Sequence, residues 1–363
     1  MDAETYESKD QRLHDEIVAF AVYMLPTSQE VTARQNIIKR IESVLLRRFR
    51  GGKVHVYGSV STNLCLPTGD IDLVVETKDV ESQEDKKSAL FQLRSMLQRD
   101  GIAGNIQIAP KARVPVMSMV TFPETGSFNV DITINGTEGV QAIDIVKDYL
   151  QRMPALRPLI LVAKALLQQH NLHSAATSGL SSYATTCMVV SFLQLNPMEA
   201  PAEDLDDPIR SESLGRLLIG FLKYYADDFP YDSSYVSVTE KATPLKKDKG
   251  WEECQFAVQC LIHPDNNISK GTGKLRQIRQ VFQEAHAALQ GAEIEKTNNN
   301  ILGTIVRLSQ ETIDYRASIV RVAKAMEDRN QSVTAARRPY QPPAAQRHSP
   351  PGGYSDYLHS YRS

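Results

Sequence analysis

Three aspartates in apolar, strand-like segments have the clearest potential for chemistry. Asp70 and Asp72 flank Ile71, and Asp131 lies in a second apolar segment, residues 130–134. Because successive side chains of a strand point to opposite faces, Asp70 and Asp72 share a face while Ile71 enters the core. Such carboxylates repel one another unless a cation lies among them, and Mg²⁺ prefers oxygen ligands. The pattern predicts a two-metal site that activates a hydroxyl and stabilises a leaving oxygen.

The pair Gly58-Ser59 lies where a predicted strand ends and a predicted helix begins. Glycine lets the backbone approach a phosphate closely, and amides exposed at a helix start favour an anion. A DxD pair or a Gly-Ser turn alone is common in proteins without such a function. The combination of strand, Gly-Ser, helix, Leu-Pro turn, DxD strand and a later aspartate strand is far more specific.

For other polar residues, the sequence allows either a structural or a functional role. Lys164 lies in a helix that is apolar on almost all sides, residues 159–167. An unpaired ammonium there is costly, so it needs an anion or a route to solvent. Tyr183 has the usual context of a core aromatic residue. Asn266-Asn267 is equally typical of an Asx turn.

Composition limits the class of protein. The chain has 363 residues, a net charge of −2 and a pI near 6.5, which is not typical of a strong nucleic-acid binder. Four widely spaced cysteines without a CxxC pair indicate neither zinc nor disulfides and fit a reducing compartment. The start is polar, and the longest apolar run is too short to span a bilayer, so no membrane association is expected.

The order of elements predicts an α+β fold, with strands up to residue 134 and helices afterwards. The runs 203–207 and 246–249 are charged and typical of exposed loops, as is 76–87. Helices are predicted at 139–151, 155–171, 182–195, 212–227, 274–287 and 298–326.

The block from Val56-Tyr-Gly-Ser to Asp70-Ile-Asp-Leu-Val-Val resembles the active-site block of DNA-polymerase-β-type nucleotidyltransferases. More narrowly, it is similar to the Trf-type poly(A) polymerases that tail nuclear RNA. The resemblance covers roughly residues 12–290. It continues through Lys111-Ala-Arg-Val-Pro, Val130-Asp-Ile-Thr-Ile, Gly179-Leu-Ser-Ser-Tyr and Asn266-Asn-Ile-Ser-Lys-Gly.

The resemblance implies a polymerase-β-like nucleotidyltransferase domain, with a mixed sheet and helices, at residues 30–146. It implies a mainly helical central domain with a nucleotide-recognition loop at residues 1–29 and 147–328. The segment 329–363 is rich in proline and arginine and is expected to be a disordered tail.

The resemblance also implies roles for the aspartates. Asp70 and Asp72 would bind two Mg²⁺ ions, for which Mn²⁺ can substitute. Asp131 would bind the catalytic metal and help to deprotonate the primer 3′-hydroxyl.

Nucleotide-binding roles follow from the same resemblance. Gly58 and Ser59 would meet the terminal phosphates of ATP, Ser182 would bond the triphosphate, and Lys164 would neutralise its charge. Tyr183 would stack on the base.

Base choice is expected at Asn266 and Asn267, because uridine-adding relatives carry a histidine where Asn266 falls. Two departures stand out. The loop 263–265 is shortened, and Gln168 stands where relatives often carry a basic residue.

The leading interpretation is a template-independent RNA 3′-adenylyltransferase that serves RNA surveillance. A uridylyltransferase, a catalytically idle scaffold of a surveillance complex and transfer to a small molecule are the alternatives, the last disfavoured by the helical domain. Trf-type enzymes lack an RNA-binding domain and work in TRAMP complexes, so the implied partners are a zinc-knuckle RNA-binding protein and an RNA helicase. The expected location is the nucleus or nucleolus, with the cytoplasm as alternative.

Overall fold

A five-stranded mixed sheet forms the core of the first half of the chain. The computed structural model describes residues 8–112, 114–239, 242–293 and 300–336. The strands are β1 (Lys53–Tyr57), β2 (Ile71–Glu76), β3 (Ile106–Ala109), β4 (Val116–Val120) and β5 (Asn129–Ile134). Their order is β1-β2-β5-β4-β3; β2 and β5 are parallel, and the other neighbouring pairs are antiparallel.

Helices cover this sheet and form a second hydrophobic core after it. Those of the first half are α1 (Lys9–Met24), α2 (Ser28–Arg48), α3 (Gly58–Thr62) and α4 (Gln83–Arg99). Those of the second half are α5 (Glu138–Arg152), α6 (Leu156–Gln169), α7 (Ser182–Leu195), α8 (Ala202–Asp206), α9 (Leu214–Lys223), α10 (Leu275–Gly291) and α11 (Gln310–Ala336). Within the described residues, no helix is both long and apolar enough to cross a membrane.

The two hydrophobic cores are formed by different elements. Apolar side chains of α2 and α4 pack on the sheet, together with Ile319 and Ala323 of α11. The helical core unites α1 with α6, α7, α9 and α10. The chain divides into two compact units, one up to Lys324 and one from Ala325 onward, so the sheet and the helical core belong to a single unit.

Two charge runs predicted as exposed loops are ordered and partly buried. Residues 203–207 contain α8, where Asp204 is buried and accepts hydrogen bonds from Arg216 at 2.9 and 3.0 Å. Lys246 is buried in a 3₁₀ turn, and its ammonium donates to the carbonyls of Tyr231 and Cys254. The hydrogen bonds of each side chain are satisfied by partners outside its own run, 12 residues away for Asp204 and 8 and 15 residues away for Lys246, which a local charge pattern does not reveal.

Other predicted boundaries are also wrong. The predicted loop 76–87 ends early, because α4 begins at Gln83 behind a Ser82–Asp85 capping box. The helix predicted from 298 begins at Gln310 instead and continues past 329 to Ala336, so the predicted tail starts too early. The remainder of that tail, 337–363, lies outside the described residues.

Candidate functional site

The centre of the sheet brings two of the three aspartates together. Asp72 lies on β2 between Ile71 and Leu73, both fully buried. Asp72 is the register partner of Asp131 on β5, and these strands are parallel, so both carboxylates leave the same face. Asp70 lies one position before β2 instead of within it.

The three carboxylates affect one another electrostatically. Burial raises the pKa of Asp72 to about 7, and the charges of Asp131 and Asp70 contribute further. Burial also raises the pKa of Asp70, again with Asp131 as the next cause. Ionising all three is therefore unfavourable unless a cation offsets their repulsion.

This all-oxygen donor set fits a divalent cation by its chemistry. In the part of the chain that the structure describes, no three His, Cys, Asp or Glu side chains already enclose a metal position. The fit therefore rests on the adjacency of Asp70, Asp72 and Asp131 and on the raised pKa values of Asp70 and Asp72, not on a closed coordination shell.

Gly58 permits the backbone to pass close to Asp72. It begins α3 immediately after β1 and has a φ of +67°, which favours glycine. A Cβ atom there would lie 3.2 Å from Cγ of Asp72 and closer still to a carboxylate oxygen. The Gly-Ser turn thus packs directly against the carboxylate of Asp72.

A cavity of about 760 Å³ opens between the sheet and the helical core. All the predicted site residues line it except Asp131 and Asn267. Those that do are Gly58, Ser59, Asp70, Asp72, Lys164, Ser182, Tyr183 and Asn266.

Lys164 does not extend to solvent, although it lies on an apolar helix. Its side chain is buried, and Nζ donates to the carbonyl oxygen of Leu64 at 2.6 Å. Burial lowers the pKa of Lys164, whereas Cys65, Asp72 and Asp70 act in the opposite direction. The ammonium is thus held at the cavity wall, while Gln168, one turn later, donates to Thr68 Oγ1 at 3.1 Å.

Tyr183 connects α7 to the loop that carries Asn266. Its hydroxyl oxygen accepts a hydrogen bond from the Leu261 amide at 3.2 Å and lies 3.7 Å from Cys260 Sγ. Burial raises the pKa of Tyr183, so the hydroxyl stays protonated. Ser181 caps α7 by accepting from the Ala184 amide at 3.1 Å.

The two adjacent asparagines have different surroundings. Asn266 lines the cavity. The side chain of Asn267 accepts from the amides of Val258 at 3.1 Å and Ser269 at 2.9 Å and donates to the Phe256 carbonyl at 3.2 Å. The structure therefore does not bring Asn267 to the cavity wall, and its amide holds the loop together.

Glu138 and His173 are among the cavity residues that sequence reasoning did not predict. Glu138 is in the first turn of α5, where an acidic residue is readily explained by the helix dipole. His173 follows α6 in a loop, and no spacing marks it as functional. Its charge neighbours include Asp70 and Lys164, which only the fold places near it.

The mixed sheet with its surrounding helices has the fold of the polymerase-β-like nucleotidyltransferase class. Residues 13–151 match the model of the poly(A) RNA polymerase, mitochondrial-like, central palm domain, and residues 213–268 match the Cid1 family poly A polymerase model. The chain is 31% identical to the Inactive non-canonical poly(A) RNA polymerase protein Trf4-2 of Drosophila melanogaster, over 84% of this chain and 75% of that protein. It therefore belongs to the non-canonical poly(A) RNA polymerase family.

Further similarities extend over most of the chain. It is 32% identical to the Poly(A) RNA polymerase CID14 of Cryptococcus neoformans, over 85% of this chain and 43% of that protein. The solved polymerase core of TRAMP, an RNA surveillance complex, aligns with a TM-score of 0.73 at 26% identity and covers 85% of this chain and 97% of that structure. The chain spans about half the length of most of the curated relatives it matches.

Proposed function

We propose that the chain is a template-independent RNA 3′-adenylyltransferase, a poly(A) polymerase, that uses ATP and Mg²⁺. The observation that carries the proposal is the register of Asp72 opposite Asp131, together with a cavity lined by Asp72, Tyr183 and Asn266. The names of the relatives support the choice of ATP and RNA.

The carboxylates would hold the ions and accept the proton. Asp70 and Asp72 would bind divalent ions, with Mn²⁺ as a substitute for Mg²⁺. Such ions, when bound, stabilise negative charge on phosphoryl and leaving oxygens. Asp131 would help to remove the proton from the 3′-hydroxyl of the RNA primer.

The remaining cavity residues would position the nucleotide. Lys164 would neutralise phosphate charge, and Ser59 and Ser182 would donate hydroxyl hydrogen bonds to the triphosphate, with Gly58 allowing its close approach. Tyr183 would stack on the base. Since stacking tolerates any base, selection must come from polar groups such as Asn266.

The proposal extends to organisation and partners. The catalytic domain would comprise residues 30–146, and residues 1–29 and 147–328 would form the central domain. The chain would act in nuclear RNA surveillance, with a zinc-knuckle RNA-binding protein and an RNA helicase as partners. The likeness to the polymerase core of TRAMP, an RNA surveillance complex, supports the surveillance role. The net charge of −2 agrees with reliance on a partner for RNA affinity.

A catalytically idle scaffold is a second candidate, because one relative is named as inactive. The two are separated by incubating the purified protein with an oligoadenylate primer and each nucleoside triphosphate, in Mg²⁺ or in EDTA. Extension with ATP that EDTA abolishes is expected. Extension with UTP instead would indicate a uridylyltransferase, and the absence of any extension would favour the scaffold.

A further inference from the structure

A carboxylate lies beside Asn266 at the mouth of the cavity. Glu138 lines the 760 Å³ cavity and also a smaller pocket of about 500 Å³. Asn266 lines both spaces as well, and the smaller pocket is completed by residues 263–265. Glu138 and Asn266 therefore form the boundary between the two spaces.

Glu138 has neighbours on two sides. On the sheet side, the next residue, Gly139, packs so closely on Tyr57 that a Cβ atom would lie 3.4 Å from Cγ of the ring and nearer still to its edge. On the loop side, Oε1 of Glu138 is 3.5 Å from Nε2 of His263. The carboxylate thus stands between the end of β1 and the loop that carries Asn266.

The chemistry of this boundary favours one kind of base edge. A carboxylate offers only acceptors, whereas the amide of Asn266 offers both a donor and an acceptor. A base stacked on Tyr183, as the proposed function requires, would extend its polar edge toward such groups. An exocyclic amine there can donate to the carboxylate, whereas a carbonyl oxygen would face another oxygen.

We propose that Glu138 is a specificity-determining residue that accepts a hydrogen bond from the exocyclic amine of adenine and disfavours bases with a carbonyl oxygen at that position. This inference rests on the proposed adenylyltransferase function and adds a residue to its base-selecting group. The unpaired oxygen of a wrong base should cost about tenfold or more in kcat/KM.

Inosine triphosphate is a suitable probe, because it carries an oxygen in place of the 6-amino group of ATP and a proton on N1, so the donor of the amine becomes an acceptor. Primer extension should give kcat/KM for both nucleotides with the unaltered protein and with Glu138→Gln. The unaltered protein should prefer ATP by about tenfold or more. Glutamine keeps the shape but can donate through its amide, so the preference should fall toward equality.

The matched control is Glu84→Gln, which makes the same replacement of a carboxylate by an amide away from both pockets. Glu84 lies on α4, is 81% exposed and contacts Lys87 at 2.6 Å, so this variant should keep the original preference. Glu138→Ala gives a second test, because losing the acceptor should reduce the preference without adding a donor. The side chain of Glu138 is 54% exposed, so both substitutions leave the core untouched.

The outcomes separate this inference from the proposed function. Absence of extension with every nucleotide by the unaltered protein would overturn both. Extension with ATP, together with an unchanged ATP-to-inosine-triphosphate ratio in folded Glu138→Gln and Glu138→Ala, would overturn the role of Glu138 alone.

Discussion

A Cβ atom on Gly58 would lie 3.2 Å from Cγ of Asp72, so the start of α3 and the central carboxylate of the site occupy adjoining space. The change Gly58→Ala should displace Asp72 and also strain the backbone, whose φ is +67°. A shift of about 1 Å at a reacting centre costs about a hundredfold in rate. We therefore expect primer extension to fall about a hundredfold in a protein that still folds.

Gly291→Ala is the control for that substitution. Gly291 ends α10, and a Cβ atom added there would meet no other atom within 4 Å. Its φ is not in the left-handed region, so alanine fits without strain. This variant should extend primers like the unaltered protein. Normal activity of Gly58→Ala would show that the close approach to Asp72 is not required.

The raised pKa of Asp72 predicts a stability that depends on pH in the absence of metal. Its folded value of about 7 lies above the ordinary value of 3.8, so the folded state binds more protons between these limits. The free energy of unfolding in EDTA should fall as pH rises from about 4 to 7, by at most about 4 kcal/mol, since one pKa unit corresponds to about 1.4 kcal/mol.

Chemical denaturation at pH 5 and pH 8 measures this effect. Asp72→Asn should reduce the change in the free energy of unfolding between these two pH values. Part of the change should remain, because the pKa of Asp70 is also raised. Added Mg²⁺ should stabilise the unaltered protein more at pH 8 than at pH 5, because it binds the ionised carboxylates. Equal stability of the unaltered protein at both pH values in EDTA would contradict the prediction.

The hydroxyl of Tyr183 should matter for nucleotide affinity, although the ring is the part proposed to stack on the base. Tyr183→Phe keeps the ring but loses the hydrogen bond from the Leu261 amide. A hydrogen bond contributes about 0.5–1.5 kcal/mol, so KM for ATP should rise about three- to tenfold while kcat changes little.

Tyr149→Phe removes a comparable hydrogen bond away from the cavity, from the Tyr149 hydroxyl to the Val238 carbonyl at 3.1 Å. It should lower the melting temperature without changing KM. If both variants changed KM equally, the effect would be one of general stability.

The two adjacent asparagines should respond differently to substitution. Asn266→His should shift the preference from ATP toward UTP, because it changes the polar groups on the cavity wall. Asn267→Ala should leave that preference alone and lower the free energy of unfolding by about 1–3 kcal/mol, because it leaves the Val258 and Ser269 amides without their acceptor. Both variants are tested by measuring the incorporation of the four nucleotides and by recording denaturation curves. If Asn266→His kept the ATP-to-UTP ratio of the unaltered protein, Asn266 would have no role in base choice.

The spacing of apolar residues along the chain is enough to predict much of the fold. The bounds of α7, and the strand around Asp131, follow from the spacing of apolar residues and from capping residues, which are local properties. The pairing of Asp72 with Asp131 depends on β2 and β5 lying side by side, and that adjacency is set by packing over a long sequence separation.

The errors over buried charges have a common physical origin in partners outside the charged run. Asp204 is satisfied by Arg216, and Lys246 by backbone carbonyls, so these charges are buried where a local pattern indicates exposure. Glu138 was missed for a related reason. Its place in the first turn of a helix explains an acidic residue without reference to the loop that faces it across the cavity mouth.

Asp70, Asp72 and Asp131 are proposed to perform nucleotidyl transfer together. The most direct measurement of this role is the rate of oligoadenylate extension with ATP and Mg²⁺ by the unaltered protein and by Asp70→Ala, Asp72→Ala and Asp131→Ala, with the surface variant Glu84→Ala as control. Each site variant should fold and lose about a thousandfold or more in rate, while the control keeps its activity. Near-normal extension by any folded site variant would show that the substituted aspartate is not required for nucleotidyl transfer, against this assignment.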